Sequence, residues 1–223
     1  ELAKAVMQVC SAVTPEGVIW EVDPGLRPEG KAGALVRTLE SHIDYYERWA
    51  QNWEYQALLK ARYMAGDEEL GEGFVAAVSP FVWKAAGQPG FIEGVQAMRE
   101  RVTDLIPAKE ADRELKLGRG GLRDVEFAVQ LLQMVHGRSD ELIRNPNTLV
   151  ALEQLATWGY VGRDDSAALT QAYKFLRTLE HRIQMYRMRR THILPTDEDE
   201  LRRLGKSMGY AKDPIDELQK EWK

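Results

Sequence analysis

Residues 18–31 read VIWEVDPGLRPEGK. Val18, Trp20 and Val22 alternate with Ile19, Glu21 and Asp23, the two-residue period of a half-buried strand. The run ends on a carboxylate, Asp23, and breaks at Pro24-Gly25 into a turn that carries Arg27. A strand-end carboxylate beside an arginine-bearing turn is one way to set a metal ligand next to a phosphate ligand. An Asp that only starts the turn has the same sequence. A single strand cannot make a sheet, so its partners are expected upstream or in another chain. The architecture of the remainder then rests on helices.

Helical periodicity is present on both sides of this stretch. Leu2–Val13 reads as a helix stopped by Thr14-Pro15-Glu16-Gly17. A long aromatic helix is expected from Thr38 to Arg62, with Tyr45, Tyr46, Trp49, Trp53 and Tyr55 forming core and interface. Asp67 is placed to cap the next helix, Glu69–Ala85, and Phe91–Leu105 follows after Gly87-Gln88-Pro89-Gly90. A charged connector around Pro107 leads to Leu115–Phe127, LKLGRGGLRDVEF, which opens an amphipathic helix to about His136. Further helices are expected over Thr148–Trp158, from Asp164 or Asp165 to Met188, over Asp197–Met208 with Thr196 as cap, and from Asp213-Pro214 onward.

The bulk composition excludes several classes. A 44% hydrophobic, 29% charged chain of 223 residues suits a globular protein with one ample core or two small domains. A net charge of -5 argues against generic nucleic-acid binding. The local basic stretch Arg182–Arg190, RIQMYRMRR, suits the C-terminal half of a helix. The one cysteine, Cys10, rules out an internal disulfide, and the four histidines lack zinc-ligand spacing. No apolar run reaches the length of a membrane span. A first helix carrying Glu1 and Lys4 is not a signal peptide. The expectation is a cytoplasmic protein without membrane or nucleic-acid partners, and a piece of a longer chain.

GRGGLRDVEF admits two readings. Glycines at a helix start allow close backbone approach, and open N–H groups there attract anions, with Arg119 and Arg123 adding charge-assisted contacts. Alternatively, the helix start is fixed at a domain junction by a network of Arg119, Gly120, Gly121, Arg123, Asp124 and Glu126. On that reading Arg123, Asp124 or Glu126 reach across the junction. Asp124 and Glu126 also suit the first turns through the helix dipole alone.

Three segments in this order, VDPGLRPEGKAGALV, YYERWAQNWEYQALLKAR and KLGRGGLRDVEFAVQ, resemble the glutamine synthetase adenylyltransferase/adenylyl-removing enzyme family. LIRNPNTLVALEQL, YKFLRTLEHRIQMY and RTHILP look more like its N-terminal, adenylyl-removing half. The resemblance implies a mainly α chain: a helical bundle over residues 67–223, following the C-terminal remnant of a nucleotidyltransferase-type α/β domain over residues 1–66. It maps Asp23 onto the third catalytic carboxylate, a ligand for Mg²⁺. It also implies that Arg27, and with it Lys60 and Arg62, neutralise phosphate or nucleotide charge. The GSD-x-D motif that supplies the other two carboxylates does not occur here, and Gly25 stands where the family often has an arginine. The implied partners are glutamine synthetase, a PII signal protein, ATP, ADP and phosphate. Phosphate would attack the AMP–tyrosine linkage of glutamine synthetase to give ADP. With one carboxylate of three, this piece is expected to be inactive by itself. The alternative is a helical interaction or regulatory module.

Overall fold

The computed structural model describes residues 1–18, 20–188 and 190–222. The chain is mainly α, and among the described residues there is no strand or sheet. It divides into two compact units that meet at Gln88–Pro89.

In the first unit, helix α1 spans Leu2–Ser11. The strand expected over Val18–Asp23 does not form among the described residues, and Ile19 lies outside them. The reason is the lack of a ladder. The Trp20 N–H donates to the Cys10 carbonyl (3.1 Å) and the Val22 N–H to the Ser11 hydroxyl (3.2 Å), both at the end of α1. Val18 and Trp20 stay largely exposed, as side chains of an unpaired segment do.

The helix expected over Thr38–Arg62 is two: α2, Leu39–Arg48, and α3, Asn52–Leu58. The break is a reciprocal cap at Gln51 and Glu54, in which each side chain bonds the other's backbone N–H. Glu54 is buried. Its carboxylate accepts from the Gln51 N–H at 2.7 Å and from the Tyr45 hydroxyl at 2.9 Å. Asp67 caps α4, Glu68–Ala85, as its position foretold, accepting from the Leu70 N–H at 2.9 Å. Helix α4 packs on α2 and α3, so the first unit extends past Gly66. Its core holds Tyr46, Tyr55, Val78 and Val82. The Tyr55 hydroxyl donates to the Tyr46 carbonyl, which lets an aromatic ring bury its polar end.

The second unit contains α5, Phe91–Asp104; α6, Leu122–His136; α7, Thr148–Thr157; α8, Arg163–Arg187; α9, Glu198–Ser207; and α10, Pro214–Trp222. Two caps differ from expectation. Asp197, not Thr196, caps α9 by accepting from the Glu200 N–H at 2.9 Å. Gly162 precedes α8, and Asp164 and Asp165 lie in its first turn, where they favour the helix dipole without capping it. The apolar faces make two clusters. Val125 and Val129 of α6 pack with Ile143 and with Ala151, Leu152 and Leu155 of α7. Leu115 and Leu122 pack with Leu176 and Leu179 of α8, Leu194, Leu204 of α9 and Leu218 of α10. Each such leucine, when fully buried, contributes about 1.5–3 kcal/mol. Helix α6 enters both clusters, so its N-terminal turn lies where they join. No helix among the described residues is long and apolar enough to cross a membrane.

Candidate functional site

Asp23 is exposed and closes a turn. Its Oδ1 accepts the Gly25 N–H at 2.9 Å, the local side-chain turn that Asp favours. A Cβ at Gly25 would stand 2.9 Å from that same oxygen, so a larger residue there would shift the carboxylate. Arg27 lies inside the loop. Its guanidinium donates to the carbonyls of Pro24 (2.8 Å), Lys31 (3.1 Å) and Gly33 (3.2 and 3.1 Å). This ties residues 24 to 33 together, and Arg27 does not bond Asp23. Lys60 and Arg62 follow α3, Lys60 half-buried and Arg62 exposed.

A divalent ion of the magnesium type needs several hard oxygen donors converging on one point. Among the described residues no group of three or more His, Cys, Asp or Glu side chains does so. Asp23 offers one carboxylate, already half engaged. The described donors of this chain do not by themselves fit such an ion.

The segment ahead of α6 is built differently. Its tight path depends on two glycines. A Cβ at Gly121 would lie 2.7 Å from the Leu115 carbonyl oxygen, and one at Gly118 would collide with the Glu114 carbonyl oxygen. The loop caps α6 with its own backbone. The Leu122 N–H donates to Leu115 O and the Arg123 N–H to Lys116 O, both at 2.9 Å. The Gly121 N–H reaches Gly118 O at 3.1 Å. Asp124 Oδ2 accepts the Gly120 N–H at 2.6 Å. The N–H groups that an anion would need are thus taken, and the fixed-helix reading is the one this geometry favours.

Two acidic side chains of the segment, Asp124 and Glu126, bind partners far along the chain. Arg99 of α5 donates to Asp124 Oδ1 at 2.6 Å and to the carbonyls of Leu117 (3.0 Å) and Gly118 (2.9 Å). Glu126 is buried. It accepts from Arg123 at 2.9 Å, from the Tyr173 hydroxyl at 3.1 Å and from Arg177. Arg177 also bonds Glu180 at 2.7 Å, and His192 Nδ1 lies 2.6 Å from the other Glu180 oxygen. His192 is brought there by backbone pairing of 113–115 with 192–194: Leu115 N–H to His192 O at 2.8 Å and Leu194 N–H to Arg113 O at 2.9 Å. Arg119 is exposed. The partners of Arg123, Asp124 and Glu126 just named all belong to the second unit.

Electrostatics follow from this geometry. Burial alone would raise the Glu180 carboxyl, but hydrogen bonds and charge from His192 and Arg177 outweigh it and hold the group down to about 2. Lys116 is pushed down by burial, with Arg123 and Arg177 repelling its charge while Glu180 and Glu126 partly offset the loss. Sequence reading missed Arg99, Tyr173, Arg177, Glu180 and His192. The spacing of Tyr173, Arg177 and Glu180, four and then three residues on one helix face, is the signal that could have found three of them.

Residues 96–223 match the family model described as GlnD PII-uridylyltransferase, more than half of the chain, and residues 1–77 match that described as Glutamate-ammonia ligase adenylyltransferase. A bifunctional glutamine synthetase adenylyltransferase/adenylyl-removing enzyme of Streptomyces avermitilis is 60% identical over 222 residues, covering 100% of this chain and 22% of the relative. The chain belongs to the bifunctional glutamine synthetase adenylyltransferase/adenylyl-removing enzyme family. Members from Cutibacterium acnes (55% identical, 100% of this chain, 22% of the relative) and Mycobacterium tuberculosis (58%, 89% and 20%) agree. The chain thus spans about a fifth of the length of these family members. The two family matches leave residues 78–95 between them, and the boundary between the compact units, Gln88–Pro89, falls in that gap.

Proposed function

We propose that this chain is part of a cytoplasmic enzyme that adenylylates glutamine synthetase and removes AMP from it by phosphorolysis to ADP. The first unit would carry the end of the nucleotidyltransferase catalytic domain, and the second would be a helical module that receives or transmits regulation. The observation that carries this reading is the 60% identity to the Streptomyces avermitilis enzyme through both units. In this reading Asp23 supplies one of several carboxylates to a Mg²⁺ site that the rest of the protein completes. An exposed carboxylate with one oxygen engaged by Gly25 and the other open suits that part. Arg27 shapes the loop around it, and Lys60 and Arg62 face phosphate charge from ATP, ADP or phosphate. Arg119, Gly120, Gly121, Arg123, Asp124 and Glu126 hold the helical module's first turn. Glutamine synthetase and a PII signal protein are its macromolecular partners. The acidic net charge speaks against nucleic acid.

The test uses the full-length enzyme. Asp23→Asn should abolish ADP formation from adenylylated glutamine synthetase and phosphate while leaving the helical far-UV spectrum unchanged. Phosphorolysis near the wild-type rate would refute the assignment. The 223-residue chain alone should form no ADP.

A further inference from the structure

The second unit holds a cavity of about 610 Å³ walled by the C-terminal half of α8, residues 190–197 and α9. Its charge is opposite to that of the chain. Arg113, Arg182, Arg190 and Arg203 line it against only Asp197 and Glu200, in a protein of net charge -5. Asp197 is occupied as the cap of α9. Arg203 has its guanidinium over the Tyr186 ring, 3.0 Å from the centroid. Arg182 is exposed and forms no ion pair among the described residues. The rest of the basic stretch includes Arg189, which lies outside the described residues.

Ile183, Leu194, Pro195 and Leu204 give the cavity apolar surface. One wall is held in place. Leu194 donates its N–H to Arg113 O, and the Arg113 guanidinium returns a bond to Leu194 O at 2.6 Å. A cavity of this volume that sets charged groups beside apolar side chains fits a small molecule. Arginine forks match the two oxygens of a carboxylate, phosphate or sulfonate, and they stack on flat rings. We propose that this cavity binds a small planar organic anion, with its ring on Ile183, Leu194 and Leu204 and its acidic group at Arg182 and Arg203. The proposal rests on the cavity alone and is independent of the enzymatic reading above.

Anilinonaphthalene sulfonate carries both features and reports binding by fluorescence. Titrated into the 223-residue chain, it should saturate a single site. The paired reversal Arg182→Glu with Arg203→Glu should weaken it about tenfold or more, the loss expected of charge-assisted bonds. Arg182→Gln, at an exposed position, should weaken it less and leave the far-UV spectrum unchanged. Val6→Lys, on the exposed apolar face of α1, should leave it unaltered. Binding that survives both cavity variants, or is abolished by Val6→Lys, overturns the proposal. So does displacement of the probe by inorganic phosphate at equal affinity, since the ring would then contribute nothing.

Discussion

The loop Asp23–Gly33 and the segment Glu114–Glu126 contain the same ingredients: acids, arginines and closely spaced glycines. They are held in opposite ways. Arg27 bonds carbonyls no more than six residues away, and Asp23 stays exposed beside it. Glu126 is held by Arg177, 51 residues away, and Asp124 by Arg99, 25 residues away. The first loop is a local fold that leaves a carboxylate exposed. The second is a closed knot in which arginines of α5, α6 and α8 meet Asp124 and Glu126. Density of charge and glycine in a sequence therefore does not distinguish an open loop from a closed one. The distance along the chain to each partner does.

The sharpest way to break this contrast is Glu126→Ala. It removes a buried carboxylate that Arg123, Arg177 and the Tyr173 hydroxyl share, leaving Arg177 only Glu180 as a carboxylate partner among the described residues, and breaking this buried pair should cost about 3–5 kcal/mol, read by urea unfolding of the 223-residue chain. A loss below about 1 kcal/mol would put the knot in the same class as the surface loop.

The next effect is on pH. Glu180 is held at about 2 from a usual 4.5. Its folded value is the lower one, so its stabilisation is fully present above pH 4.5 and is lost as pH falls toward 2. The shift corresponds to about 3 kcal/mol. Unfolding free energy measured across that window should fall in the wild type, and Glu180→Gln should flatten that part of the curve. An unchanged slope in the variant would assign the acid sensitivity elsewhere.

Gly118→Ala brings a methyl group against the Glu114 carbonyl, a rigid backbone atom, and should cost about 1–3 kcal/mol. Wild-type stability in that variant would mean the loop has room that its geometry denies. The smallest effect belongs to the other region. Asp23→Asn keeps a side-chain oxygen for the Gly25 N–H and should change stability by no more than about 0.5 kcal/mol. A larger loss would show Asp23 to be structural.

Much of the fold was legible in the sequence because helices are local. The spans of α1, α4, α5, α6 and α7 followed from apolar periodicity, and Asp67 was recognisable as a cap from its place before the first periodic residue. The split between α2 and α3 was legible too, in Gln51 and Glu54 three apart, but the continuous aromatic pattern masked it. Asp197 outcompeted Thr196 by one residue, a choice made by where the helical backbone begins.

The sequence by itself determined a mainly helical chain and its family, since periodicity, caps and motif order are read residue by residue. Tertiary structure alone decided the fate of Val18–Asp23. A strand exists only where a neighbour supplies its hydrogen bonds, and here the backbone turned to the end of α1 instead. It also decided the role of GRGGLRDVEF. Arg99, Tyr173 and Arg177 reach this motif only after the helices pack, and whether a charge is open to a ligand or closed by a partner depends on distances in space rather than along the chain.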